Sequence, residues 1–157
     1  MGWKEWTAVL ELSCMWQMEK IRQISIQKIL QDTIPAHEHQ HLLSVSTKLA
    51  IGEIRDRAIQ VLRLSSNIST AKRIQLGIQY QVDLWIRDGY RGLIEGQSSI
   101  SAEVEGILGW ETTSKLFRIR EEYLKGLGTV SGSTFVGDKI EEVFAQELRD
   151  AVWSGSR

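Results

Sequence analysis

Apolar residues recur at three- and four-residue intervals along most of the chain, and short polar breaks separate the runs. Trp6, Val9, Leu10, Ser13, Cys14 and either Trp16 or Gln17 predict an amphipathic helix over 4–17, with Met18 at a bend. Glu19 opens a second helix, its charge near the positive end of the helix dipole, with Ile21, Ile24 or Ser25, Ile26, Ile29 and Leu30 facing inward. Gln31 to Ala36, holding Asp32 and Pro35, reads as a linker. A second pair follows: a helix over 39–50, a bend at Ile51 and Gly52, and a helix over 53–64. Its core candidates are Leu42, Leu43, Val45, Leu49, Ile54, Ala58, Ile59 and Leu62. Beyond a polar break and an N-cap candidate at Ser69, a third pair spans 70–81 and 83–95, with Asp83 expected to cap its second helix.

These pairs are copies of one another. A shift of 33 (13 to 46) lays Ser13 on Ser46, Ile21 on Ile54, Arg22 on Arg55, Ile26 on Ile59 and Gln27 on Gln60. A shift of 64 (12 to 76) lays Leu12 on Leu76, Trp16 on Tyr80, Gln17 on Gln81, Met18 on Val82, Glu19 on Asp83, Ile21 on Trp85 and Ile26 on Tyr90. Self-similarity at about 30 residues is the signature of stacked helical units, none of which covers its apolar face alone. Trp16, Leu49 and Tyr80 are expected to fill matching interior seats, and Trp16 and Trp85 to be structural.

After the third pair, the turn 96–100 ends at a second N-cap candidate, Ser101. A short helix over 102–108 stops at Gly109, and Trp110 leads into a helix over 111–125 that Gly126-Leu127-Gly128 ends. Thr129 to Gly137 is the most flexible-looking stretch. Asp138, with Glu141 three residues on, reads as the capping box of a last helix striped by Val143, Phe144, Leu148, Ala151 and Val152. No alternating strand pattern of convincing length is present. The fold predicted is all-α: tandem helix-bend-helix units at about 4–31, 39–64 and 70–95, closed by helices over about 102–153, as a single domain of residues 1–157.

The composition removes several classes of function. Hydrophobic residues make up 42% and charged residues 25%, enough apolar material for a core. The net charge of −1 lacks the basic surplus that phosphate neutralisation demands, so nucleic acid is not an expected partner. The one cysteine, Cys14, allows no intramolecular disulfide, and a reducing compartment, cytoplasm or nucleus, is the expectation. No apolar run approaches a membrane span, and Glu5 and Glu11 near the start are foreign to a signal peptide.

Candidate chemistry is sparse. His37 and His41 stand four apart in H-E-H-Q-H, a spacing that suits a metal pair, but they follow Pro35 at a linker with no further ligand cluster. A solvated helix start is the simpler reading, and no metal or cofactor is expected. Cys14 falls on the predicted inner face and reads as a small buried hydrophobe, not a nucleophile. Glu121 and Glu122, like Glu141 and Glu142, are adjacent and diverge around the helix, so they form no acid–base dyad. The glycines over 126–137 lack a phosphate-loop signature. Arg22 and Arg55 hold equivalent places, with Arg87 one position further on, and a row of arginines suits an acidic partner or RNA. Nearby Glu19, Glu53, Asp56, Asp83 and Asp88 favour intrahelical pairs instead. Trp3 and Trp153, outside the repeats, are candidates for an exposed contact patch. The candidate partner-binding residues are therefore Trp3, Trp153, Arg22, Arg55 and Arg87, and no catalytic residue is expected.

Three phrases carry a family resemblance: EWTAVLELSCMWQMEKIRQISIQKI over 5–29, IQLGIQYQVDLWIRDGYRGLIE over 74–95 and LGWETTSKLFRIREEY over 108–123. In this order they resemble the helical region that follows the BTB/POZ domain in a group of mushroom-type fungal proteins. The helix-bend-helix unit is also similar to the BACK region of BTB-Kelch proteins. The strand-rich BTB fold itself is not seen in this sequence, so its dimerisation and ligase recruitment do not carry over to these residues. The resemblance implies a non-catalytic protein-interaction or adaptor module with a protein partner. The open ends of a stack add a homo-oligomer as an expected form. The rival readings are an enzyme without a recognisable motif and a nucleic-acid-binding helical domain.

Overall fold

The computed structural model of the chain describes residues 1–66, 68–96, 100–126 and 132–155. Among them the fold is all-α, with nine α-helices, one 3-10 turn and a single isolated bridge, Val82 to Val152. The chain divides into two compact units, Met1–Ser66 with Ser154–Arg157, and Asn67–Trp153. The first holds α1 (Trp3–Met15), α2 (Glu19–Gln31), the 3-10 turn Ala36–Glu38, α3 (His39–Lys48) and α4 (Gly52–Leu64). The second holds α5 (Thr70–Tyr80), α6 (Asp83–Glu95), α7 (Ala102–Gly126), α8 (Gly132–Val143) and α9 (Ala145–Asp150).

One bend is built three times. Gln17, Ala50 and Gln81 take left-handed φ values of 55°, 54° and 56°. They are spaced by the same shifts of 33 (17 to 50) and 64 (17 to 81) that align the sequence. After each, an N–H reaches back to the helix just ended: Met18 to the Ser13 carbonyl, Ile51 to Ser46 and Val82 to Gly77, all at 2.8 Å. This is the Schellman closure, in which a left-handed residue lets the chain satisfy the orphan carbonyls and turn sharply. Ser13 and Ser46 also donate their hydroxyls to the Leu10 and Leu43 carbonyls at 2.8 and 3.2 Å. Gly77 stands at that place in the third pair, where a Cβ would come within 2.9 Å of Ile86 and 3.1 Å of the Val82 carbonyl.

The bend folds each second helix back along the first, and small residues let the two approach. Ser25, Ala58 and Gly89 occupy one repeat position and are all buried. A Cβ on Gly89 would lie 2.2 Å from Ile74 Cγ1, so in the third pair only glycine fits beneath that isoleucine. In the first unit α2 packs on α4. Arg57 of α4 donates to the carbonyls of Ile29, Leu30 and Asp32 at the end of α2. In the second unit α6 is central, packed by α5, α7 and α8. Arg120 of α7 donates to the carbonyls of Leu93 and Gly96, which stand 64 positions after Ile29 and Asp32. A guanidinium from a later helix thus closes the ends of α2 and α6.

The core of the second unit joins Ile74, Ile86, Tyr90, Ile94, Leu116, Ile119, Val136, Ile140, Phe144 and Leu148. Tyr90 and Phe144 meet with ring centroids 4.4 Å apart, and the Tyr90 hydroxyl donates to Glu147 at 2.8 Å. Burial first, and the neighbouring carboxylate second, raise the Tyr90 pKa well above its ordinary value.

Several expectations are corrected. Trp16 fills no interior seat: like Leu49 it closes a helix just before the left-handed residue, and it is 61% exposed. Trp16 thus lies at the rim of the bend, while Leu10, Leu43 and Ile74 fill the interior one period apart. Asp83 does not cap α6; Val82 is the N-cap, and Asp83 accepts from Arg87 Nε at 3.2 Å. Asp138 begins no helix. The last stretch is helical from Gly132, because Val136, Ile140 and Phe144 extend one buried stripe, and a break before Ala145 separates α8 from α9. Ser69 and Ser101 do cap, accepting from the N–H of Lys72 at 3.2 Å and of Val104 at 3.4 Å. Gly109, at φ 80°, breaks α7 where the short helix was expected to stop. Residues 97–99 of the expected turn and 127–131 of the expected stop and flexible stretch lie outside the described residues.

Two outcomes are expected. Ala50→Gly relieves the left-handed strain of a Cβ and should stabilise the protein by about 0.5–1 kcal/mol in urea titration. Tyr90 keeps its proton when folded at pH values where the unfolded chain, with an ordinary tyrosine pKa of about 10, releases it. Its contribution is therefore complete below about pH 10 and is lost as the pH rises further. Urea midpoints should fall more steeply above about pH 10 for the wild type than for Tyr90→Phe.

Candidate interaction surface

The five residues singled out by sequence do not form one surface. Trp3 is buried at the start of α1, with the His41 ring 6.3 Å away and Lys4 Nζ 5.3 Å from its own ring centroid. Trp153 is half-buried and follows Val152, the residue bridged to Val82. Arg55 is buried in α4. Arg22 is half-buried and bonds Glu19 at 3.3 Å. Arg87 is held by Asp83 and by Glu141 of α8. Arg22 and Arg87 make the intrahelical pairs that the sequence offered as the alternative, and α8 supplies Arg87 with a second carboxylate.

The histidines diverge as well. His37 is exposed, His39 is buried with Nδ1 3.0 Å from the Pro35 carbonyl, and His41 turns to Trp3. Among the described residues no three His, Cys, Asp or Glu side chains converge as a metal site would require. Cys14 is half-buried rather than core, because it stands one position past buried Ser13 at the rim of the bend. Its surroundings are a cleft of about 270 Å³ lined by Ser13, Gln17, Glu19, Arg22 and Leu49. A neighbouring cleft of about 400 Å³ runs from Glu19, Arg22 and Ile26 of α2 to the second bend at Ala50–Glu53. Its Glu19 carboxylate already accepts from Arg22 and, at 3.0 Å, from Gln23.

The surface that stands apart is apolar and belongs to the first pair. Leu12, Met15, Trp16, Met18, Ile21 and Ile24 are all exposed, on α1, the bend and α2. Three of them have buried counterparts one and two periods on. Leu12, Met18 and Ile21 are 45%, 42% and 41% exposed; Val45, Ile51 and Ile54 are 8%, 3% and 2%; Leu76, Val82 and Trp85 are 1%, 5% and 1%. The same side of the bend is therefore covered in the second and third pairs and open in the first. Two more members differ in kind. The counterparts of Met15 are Lys48 and Gln79, and those of Ile24 are Arg57 and Asp88. Positions that are polar in two pairs are apolar only where the face is open.

The sequence held that signal, in the contrast between copies rather than in their likeness. A sparser apolar row, Trp110, Phe117 and Leu124, is exposed on α7 at seven-residue spacing, but the ion pair between Lys125 and Glu121 breaks it. Among the described residues no helix is long and apolar enough to cross a membrane. Comparison with protein-family models, with curated proteins and with solved structures finds no match to the chain.

Because Trp16 lies outside the core, Trp16→Ala should change stability by less than about 1 kcal/mol in urea titration. A loss of about 3–5 kcal/mol, the cost of truncating a core aromatic, would place the side chain in the interior instead.

Proposed function

We propose that this chain is a non-catalytic interaction module, an intracellular adaptor that docks a protein partner on the apolar face of its first helix pair. The observation that carries the reading is the group Leu12, Met15, Trp16, Met18, Ile21 and Ile24, all exposed, although the repeat buries the equivalents of Leu12, Met18 and Ile21 in its other two pairs. Contiguous apolar patches of this kind mark protein-interaction sites, and a tryptophan with flanking methionines is suited to contact hot spots. The resemblance of 5–29, 74–95 and 108–123 to the helical region after fungal BTB/POZ domains points the same way, toward an adaptor role.

The arginines favour this reading over nucleic-acid binding. Arg22 and Arg87 pair with carboxylates, and Arg57 and Arg120 bond backbone carbonyls inside their units. Phosphate contacts need guanidinium groups free to face solvent. The docking residue is a rim tryptophan, Trp16, in place of the terminal Trp3 and Trp153.

The test is affinity capture from cells of the source organism with the wild type and with Trp16→Glu and Ile21→Glu, each checked for an unchanged helical melt. A bound protein whose recovery falls at least about tenfold with both variants is expected. Equal recovery of the same proteins by all three would overturn the reading.

A further inference from the structure

The open face of the first pair has a definite counterpart inside the protein. In the second pair, α2 lies against α4 and beside the bend at Ala50–Glu53, so the cover over that face is an amphipathic helix. It is neither an irregular loop nor a small molecule. Whatever closes the first pair must offer a similar surface: apolar, helical and tolerant of close approach at a Schellman bend.

We infer that a second copy of this chain closes it, in a two-fold dimer that sets α1 of one copy along α2 of the other. The inference rests on the interaction reading above and names the partner. Charge is the first reason. Exposed Glu11 flanks the apolar face on α1, and exposed Lys20 and Lys28 flank it on α2. A two-fold axis that crosses α1 with α2 of the partner sets Glu11 opposite a lysine edge, and does so twice. A face bordered by one sign alone would repel its own copy; this one is complementary to itself. Area is the second reason. The six apolar side chains expose on the order of 600 Å², at the upper end of what a monomer leaves uncovered. With the polar rim added, this approaches the roughly 800 Å² per partner of a stable, specific interface. The third reason is the substitution pattern. Met15 and Ile24 widen the patch at two positions that are charged or amide in the other pairs, which only a partner outside the repeat makes favourable.

The test is sedimentation velocity and light scattering of the purified full chain from about 1 to 100 µM. The average mass is expected to rise with concentration from 17.9 kDa toward twice that value. Trp16→Glu and Ile21→Glu, each with a wild-type melt, should raise the dimer dissociation constant at least about tenfold. Glu11→Lys alone should weaken the dimer, as should a chain carrying Lys20→Glu with Lys28→Glu. Mixing those two proteins should restore dimers, because each heterodimer regains both opposite-charge contacts. This mixing arm keeps the test decisive if the apolar variants fold poorly. A wild type that stays at 17.9 kDa throughout overturns the second copy. So does a dimer that Trp16→Glu and Ile21→Glu leave intact, or a mixture no tighter than its components. If the wild type is monomeric yet captures another protein through Trp16, the dimer fails and the interaction reading stands. If Trp16→Glu alters neither mass nor capture, both fail.

Discussion

A left-handed residue at the end of a first helix is the constraint on which this architecture depends. Gln17, Ala50 and Gln81 each hold φ near +55°, a conformation that L-residues with a Cβ adopt at a cost of roughly 1–2 kcal/mol. None of the three is glycine, so the surroundings must compensate. Part of the compensation is the N–H of Met18, Ile51 or Val82 closing on a carbonyl five residues back. The rest is burial of the helix that the bend returns to its partner, since helices of 10 to 13 residues hold little stability alone.

Once the bend is fixed, the seats across each pair follow. Leu10, Leu43 and Ile74 recur inside the first helices, and Ser25, Ala58 and Gly89 recur as small residues in the second. The last carbonyls of α2 and α6 have no partner within their own helix. Arg57 of α4 and Arg120 of α7 reach them from later helices of the same unit. An arginine suits the task because its planar fork of donors reaches several carbonyls at once. Local bend, packed pair and inter-element tie thus form one chain of causes in both units.

The same logic bears on the open face of the first pair. A repeat cannot cover its own apolar face, and the face that Val45, Ile51 and Ile54 bury inside the chain is exposed at Leu12, Met18 and Ile21. An exposed face built only for solubility would carry polar residues there. This one carries more apolar residues than its siblings, with Met15 and Ile24 in place of charged or amide side chains. Exposed apolar surface that departs from the repeat in this direction is better matched to a partner than to water.

The sequence by itself determined the first six helices, their pairing and their period. Hydrophobic spacing and a repeated residue pattern are local properties, and the shifts of 33 and 64 (17 to 50 and 17 to 81) recur in the backbone at the three left-handed residues. Local chemistry also marked the caps at Ser69 and Ser101 and the break at Gly109. Only the tertiary structure decided which apolar residues are inside. Trp16 and Leu10 are both large apolar members of the predicted stripe, but Trp16, where α1 ends, is 61% exposed and Leu10 is buried. It also decided that Trp3 and Arg55 are buried, and that glycine at 132 opens a helix because Val136 and Ile140 have a core to enter. Burial depends on what another part of the chain brings opposite a residue, and no periodicity along a single segment contains that information.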